Sequence, residues 1–163
     1  MCGIAGQISL LNHPISLLSS RLATMSRLII HRGPDGQGQW LSEHQVVGMV
    51  HRRLAIIDLS KSAAQPMLGA NGTVITFNGE IYNYRELRIE LEQRGVHCRD
   101  SSESEVVINL YLEFGLDFIN KLNGMFAIAI HDSRDKSHHL IRDRMGKKPL
   151  WISQLDDGTL FFA

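Results

Sequence analysis

Two rhythms of hydrophobic and polar positions run through the chain. Short apolar stretches rich in β-branched residues occupy residues 3–11, 46–58, 73–77 and 124–130, which predicts strands there. Between them, apolar side chains recur at helical spacing. Leu18, Leu22, Met25 and Ile29 share one face of a helix that His13-Pro14 is expected to open, proline being tolerated in a first turn. Asn83, with Glu86 three residues on, reads as the N-cap of a second helix that buries Leu87 and Leu91 and stops at Gly95. Ser102 and Glu105 repeat the signal for a third, with Val106, Leu110 and Phe114 on its apolar face and Gly115 as its stop. The last third is β-rich. A turn at 132–136 joins the strand 124–130 to a partner at 139–141, and residues 150–153 and 159–162 form a further hairpin.

Composition narrows the class without naming a function. At 163 residues, 44% hydrophobic and 21% charged, the chain suits one globular domain with a real core. The 17 basic and 17 acidic residues balance, so no electrostatic footprint for nucleic acid or an anionic membrane exists. No apolar run reaches membrane-spanning length. Cys2 and Cys98 do not make a disulfide framework, and a reducing, cytoplasmic setting is expected. The eight histidines form no ligand spacing, so no metal site is expected. The sequence finishes inside the apolar run 159–163, which is read as a fragment with a further domain removed.

The candidate chemistry begins at Cys2. Removal of Met1 would leave a terminal residue carrying both a thiol and an α-amine. These titrate near ~8.5 and ~7.7–8.0, so the amine is basic enough to take the thiol proton and return it to a leaving ammonia. The glycine-rich run 31–38 lacks the strand-loop-helix order of a phosphate cradle and is read as a backbone-positioning loop. Arg52-Arg53 is either a solvated strand end or a rigid fork for a carboxylate. Asn78-Gly79 would ordinarily be a hairpin turn. Here a helix signal follows, so the pair is placed on a strand-to-helix bend, where a side-chain amide and a backbone N–H could face one anion. Glu103, in a first helical turn, either complements the helix dipole or aims a carboxylate at an ammonium group.

Together these segments resemble one family. Residues 2–6 (CGIAG), 31–38 (HRGPDGQG), 53–60 (RLAIIDLS), 65–67 (QPM), 78–87 (NGEIYNYREL), 124–126 (GMF) and 142–150 (RDRMGKKPL) are similar to class II glutamine amidotransferases. They are most similar to the N-terminal glutaminase domain of glutamine-hydrolysing asparagine synthetases, over nearly the whole chain. The resemblance implies an α+β fold, the N-terminal-nucleophile (Ntn) hydrolase four-layer αββα sandwich of two antiparallel sheets. It implies Cys2 as nucleophile, Asn78 and Gly79 as oxyanion hole, and Arg53 on the substrate α-carboxylate. The backbone of Leu54, Ala55, Ile56 and Ile57 would line the same pocket, with Glu80 in the glutamine-contact segment. Glu103 stands where the family usually has Asp for the α-ammonium, keeping charge but lengthening reach.

The implied activity is hydrolysis of L-glutamine to glutamate and ammonia through a γ-glutamyl thioester. Ammonia would pass to a C-terminal synthetase domain, which the loop 142–149 is a candidate to contact. No cofactor is expected in this domain; ATP and Mg would belong to that further domain. The partners implied are L-glutamine and the synthetase domain, with a homodimer left open. Three rivals stand beside this reading: an amidotransferase with another acceptor, a domain that has lost catalysis, and a proteasome-like or acylase member of the fold.

Overall fold

The computed structural model describes residues 2–54, 64–99 and 102–163. Two antiparallel sheets organise them. The first has the order β2 (Gly36–Leu41), β3 (Val47–Arg53), β1 (Gly3–Ser9), β9 (Thr159–Phe162), β8 (Ile152–Gln154). The second runs β4 (Met67–Leu68), β5 (Val74–Ile81), β6 (Gly124–Asp132), β7 (Ser137–Arg142). Helix α1 (Leu18–Leu28) packs on the first sheet, and α3 (Glu103–Phe114), beside α2 (Tyr84–Gln93), packs on the second.

The alternation of side chains along each strand builds this layering. Ala5 and Val50 meet Leu18 and Leu22 of α1. Ile8, Val47, Met49 and Phe162 point the other way and meet Val74 and Ala129 of the second sheet. Ile75, Phe77, Ile128 and Ile130 leave that sheet on its far face and bury Leu87, Leu91, Val106 and Leu110. Three apolar clusters therefore fill the three interfaces of four layers, the expected αββα sandwich.

The helix starts depart from expectation. Helix α1 begins at Leu18 rather than at Pro14, after Leu17 adopts a left-handed conformation with φ 57°. Ser102 caps α3, its hydroxyl accepting from the Glu105 N–H at 3.3 Å. Asn83 precedes α2 but makes no capping bond. Its amide instead donates to the Lys121 carbonyl and accepts from the Asn123 N–H. A tertiary tie has displaced the local one. No described helix is long and apolar enough to cross a membrane.

Candidate functional site

Strand register brings the N-terminus to the end of β3. Gly3 pairs with Arg52, so Cys2 lies one step further, beside Arg53. The half-buried Cys2 thiol stands 4.0 Å from the Leu54 carbonyl. The two arginines part company by alternation. Arg52 is buried on the α1 side and donates its Nε to the Ser26 carbonyl at 3.0 Å. It is thus a core tie and not a solvated strand end. Arg53 shares its face with Val47, Met49 and His51, toward the second sheet. Its carbonyl accepts from Asp35 N at 3.0 Å, so the loop expected to position backbone does flank this strand end. Gly36 and Gly38 of that loop already belong to β2.

His51 connects the sheets. Its ring is buried and hydrogen-bonded to the backbone of Phe77 in β5. Burial and the nearby Arg53 charge push its pKa down to about 4 against that bond, so the ring is neutral near pH 7. Asn78, the next residue along β5, is buried on the face shared with Val74 and Thr76, toward the first sheet. Cys2 and Arg53 on one sheet and Asn78 on the other therefore gather at one end of the inter-sheet layer.

Asn78-Gly79 is not on a bend. Strand β5 runs on to Ile81, and Asn78, Gly79 and Glu80 pair with Ala127, Phe126 and Met125. What changes at this point is the neighbouring strand. β4 pairs with Val74 and Ile75, and among the described residues no strand pairs with that edge beyond them. N–H groups at alternate residues point to the same edge. The Phe77 N–H donates to Gln65 Oε1 and the Ile81 N–H to Glu103 Oε2, the latter at 3.2 Å. The Gly79 N–H lies between them and is bonded to neither side chain. A Cβ on Gly79 would strike the Met125 carbonyl and lie 2.7 Å from Phe126 Cα, so only glycine allows this strand pairing.

Glu103 opens α3 with its carboxylate half-buried. Burial pushes its pKa up to about 7, the Ile81 N–H opposing and the Glu80 charge assisting. Glu80 itself is exposed. Ala55, Ile56 and Ile57 lie outside the described residues. Two contributors escaped the sequence reading of roles. Gln65 was recognised only as part of a motif, and His51 only as one scattered histidine. His51 leaves a signal, a polar residue inside an apolar strand run, whereas Gln65, between Ala64 and Pro66, leaves none.

The loop 142–149 folds around Asp143. Burial pushes this carboxyl up, but N–H groups of Lys148, Lys147, Phe126 and Met145 all donate to it and hold it below its ordinary value. Met145, in the same loop, is 83% exposed. Among the described residues, no group of three or more His, Cys, Asp and Glu stands close enough to hold a metal.

The family described as glutamine amidotransferase domain matches residues 1–163. The chain belongs to that family. It is 41% identical to asparagine synthetase [glutamine-hydrolyzing] 2 of Arabidopsis thaliana over all of this chain, and 37% identical to asparagine synthetase B of Escherichia coli. It spans 27% and 29% of those proteins. Glutamine phosphoribosylpyrophosphate amidotransferase from B. subtilis superposes with a TM-score of 0.80 at 18% identity, over 99% of this chain and 41% of that one. That likeness supports the amidotransferase fold.

Proposed function

We propose that this domain hydrolyses the side-chain amide of L-glutamine, with Cys2 as nucleophile. The observation that supports the reading is the placing of Cys2 and Arg53 on one sheet and Asn78 on the other at the same end of the inter-sheet layer, where among the described residues no strand pairs with the β4 edge of β5 at Gly79. Removal of Met1 gives Cys2 its α-amine. The amine takes the thiol proton, and sulfur attacks the amide carbon. The carbonyl electron pair moves onto oxygen, which accepts from the Asn78 side chain and the Gly79 N–H. Collapse expels ammonia, protonated by the Cys2 ammonium. Water then attacks the thioester, releasing glutamate and restoring the thiol.

Arg53 holds the substrate carboxylate and Glu103 its ammonium. The backbone at Leu54, Ala55, Ile56 and Ile57, with Glu80, completes the pocket. A thiol nucleophile suits a reducing cytoplasm. The ammonia serves an ATP-dependent amidation in a C-terminal synthetase domain of the asparagine synthetase type, where ATP and Mg would bind. The identities to asparagine synthetases favour aspartate over a sugar or peptide acceptor.

Cys2→Ala tests the reading. Glutamate release should vanish while the thermal midpoint stays near wild type, because a half-buried terminal side chain contributes little packing. A glutamine-like electrophile should label Cys2 and spare Cys98. Retained activity in Cys2→Ala would exclude this nucleophile.

A further inference from the structure

Among the described residues, the open edge of β5 carries side-chain acceptors on both sides of Gly79. On one side stands Glu103, on the other Gln65. Gln65 lies in no strand, yet it is buried. Its Oε1 accepts from the Phe77 N–H, and its Nε2 donates to Ser104 Oγ at 2.7 Å. Because Phe77 presents an N–H, the amide orientation is determined: oxygen toward β5, nitrogen toward α3. Ser104 follows Glu103 directly, and Asn78 follows Phe77 directly. One amide therefore joins the strand of the oxyanion donors to the helical turn that presents the carboxylate. Its own backbone is fixed as well. A Cβ on Gly38 of β2 would strike the Gln65 carbonyl, so β2 packs directly on that peptide.

We infer that Gln65 is a positioning residue for glutamine hydrolysis. It holds the Asn78-Gly79 strand and the Glu103 turn at the spacing of one substrate molecule, through its paired bonds to Phe77 and Ser104. The inference rests on the glutaminase reading above. Gln65 touches neither substrate nor reacting atoms. It completes the β5 edge where β4 has ended, so that the Gly79 N–H is the donor left facing the substrate side.

The bridge has two arms, and they predict different kinetic losses. Gln65→Met keeps length but removes both bonds. A misplaced donor should lower kcat by roughly ten- to a hundredfold, since small displacements at a reacting centre cost about that much. Ser104→Ala cuts only the α3 arm. It should raise KM for glutamine several-fold and leave kcat within about twofold of wild type. Gln65→Glu can still accept from both Phe77 N–H and the Ser104 hydroxyl, and should restore most of the kcat lost in Gln65→Met.

The experiment measures kcat and KM for glutamine in these three variants of the full-length protein. Alkylation of Cys2 by iodoacetamide serves as a control for the thiol and should be unchanged. The split between kcat loss in Gln65→Met and KM loss in Ser104→Ala, with recovery in Gln65→Glu, supports the bridge. If Gln65→Met fails to fold, Ser104→Ala alone decides, by its KM. Variants that lose thermal stability but keep kcat and KM within twofold per folded molecule overturn the positioning role. Wild-type protein that releases no glutamate overturns the glutaminase reading and this inference with it.

Discussion

The second sheet carries polar groups near both of its ends, and the two ends are built on opposite terms. At the far end, Asp132 accepts from the Tyr111 hydroxyl at 2.8 Å and from Arg134 through its backbone N–H and its guanidinium, the shortest bond being 2.6 Å. The guanidinium bonds outweigh burial and hold this carboxyl well below its ordinary value. Close by, the His131 and His138 rings stack with centroids 4.9 Å apart and Nδ1 atoms 3.0 Å apart, and Ser133 meets the other nitrogen of His131. At the near end, the Glu103 carboxyl is pushed upward by burial, and the buried His51 Nε2 finds no hydrogen-bond partner among the described residues. A carboxylate satisfied inside the protein stabilises the fold. On the glutaminase reading proposed above, the Glu103 carboxylate, held by the Ile81 N–H, is the one available to a ligand's charge.

The largest effect is expected from removing the proposed oxyanion donor. Asn78→Ala should lower kcat by about 10²–10³, the typical loss for one such donor, with a smaller change in KM. Steady-state kinetics with the thermal midpoint measured alongside checks it. A kcat near wild type would assign the amide a packing role and place the oxyanion elsewhere.

Removing the far carboxylate should do the reverse. Asp132→Ala leaves the Tyr111 hydroxyl in a buried position without its acceptor, at a cost of about 1–3 kcal/mol. Urea unfolding should show that loss, and kcat and KM should stay at wild-type values. A fall in kcat as large as that of Asn78→Ala would erase the distinction between the two ends.

The same contrast explains what the amino-acid pattern could reveal. Strand and helix faces were legible because burial follows periods of two and about 3.6, as Val47, Met49, Leu87 and Leu91 show. The αββα layering came from family resemblance and not from periodicity. Asn78-Gly79 was misplaced onto a bend because the discontinuity lies in β4, a neighbouring two-residue strand, and not in β5 itself. Nothing local records where a partner strand ends. Asn83 and Ser102 carry equivalent cap signals, yet only Ser102 keeps its local bond, because Asn123 and Lys121 lie within reach of Asn83. Arg52 and Arg53 look interchangeable in sequence, and the pleat sends them to opposite faces. Resemblance implies Glu103 as a site residue, but its bond to Ile81 depends on the α3–β5 packing.

The smallest expected effect is the pH dependence at Glu103. Burial raises this carboxyl from its ordinary value to about 7. An ammonium group binds the ionised form, so glutamine affinity should be weak below pH 7 and strengthen as the pH rises through it. Between pH 6 and pH 8 the ionised fraction of a group titrating at 7 grows roughly tenfold, which bounds the gain at about tenfold in Kd. Stability of the unliganded protein runs the other way. A carboxyl whose pKa is raised on folding contributes most below its unfolded value, and that contribution is lost as the pH climbs through about 7. Substrate should therefore stabilise the protein more at pH 8 than at pH 6. The measurement is glutamine Kd across that range in Cys2→Ala, where the nucleophile cannot titrate. Glu103→Gln retains an oxygen for the Ile81 N–H but cannot ionise, so it should bind weakly at every pH and flatten the profile. Glu103→Asp shortens the reach by one methylene and restores the residue more usual in the family. If the pocket has adjusted to the longer side chain, Asp should bind glutamine a few-fold more weakly while moving its pH midpoint downward. A profile in wild type as flat as that of Glu103→Gln would mean that the ammonium is held elsewhere, and that Glu103 serves only the Ile81 N–H and the first turn of α3.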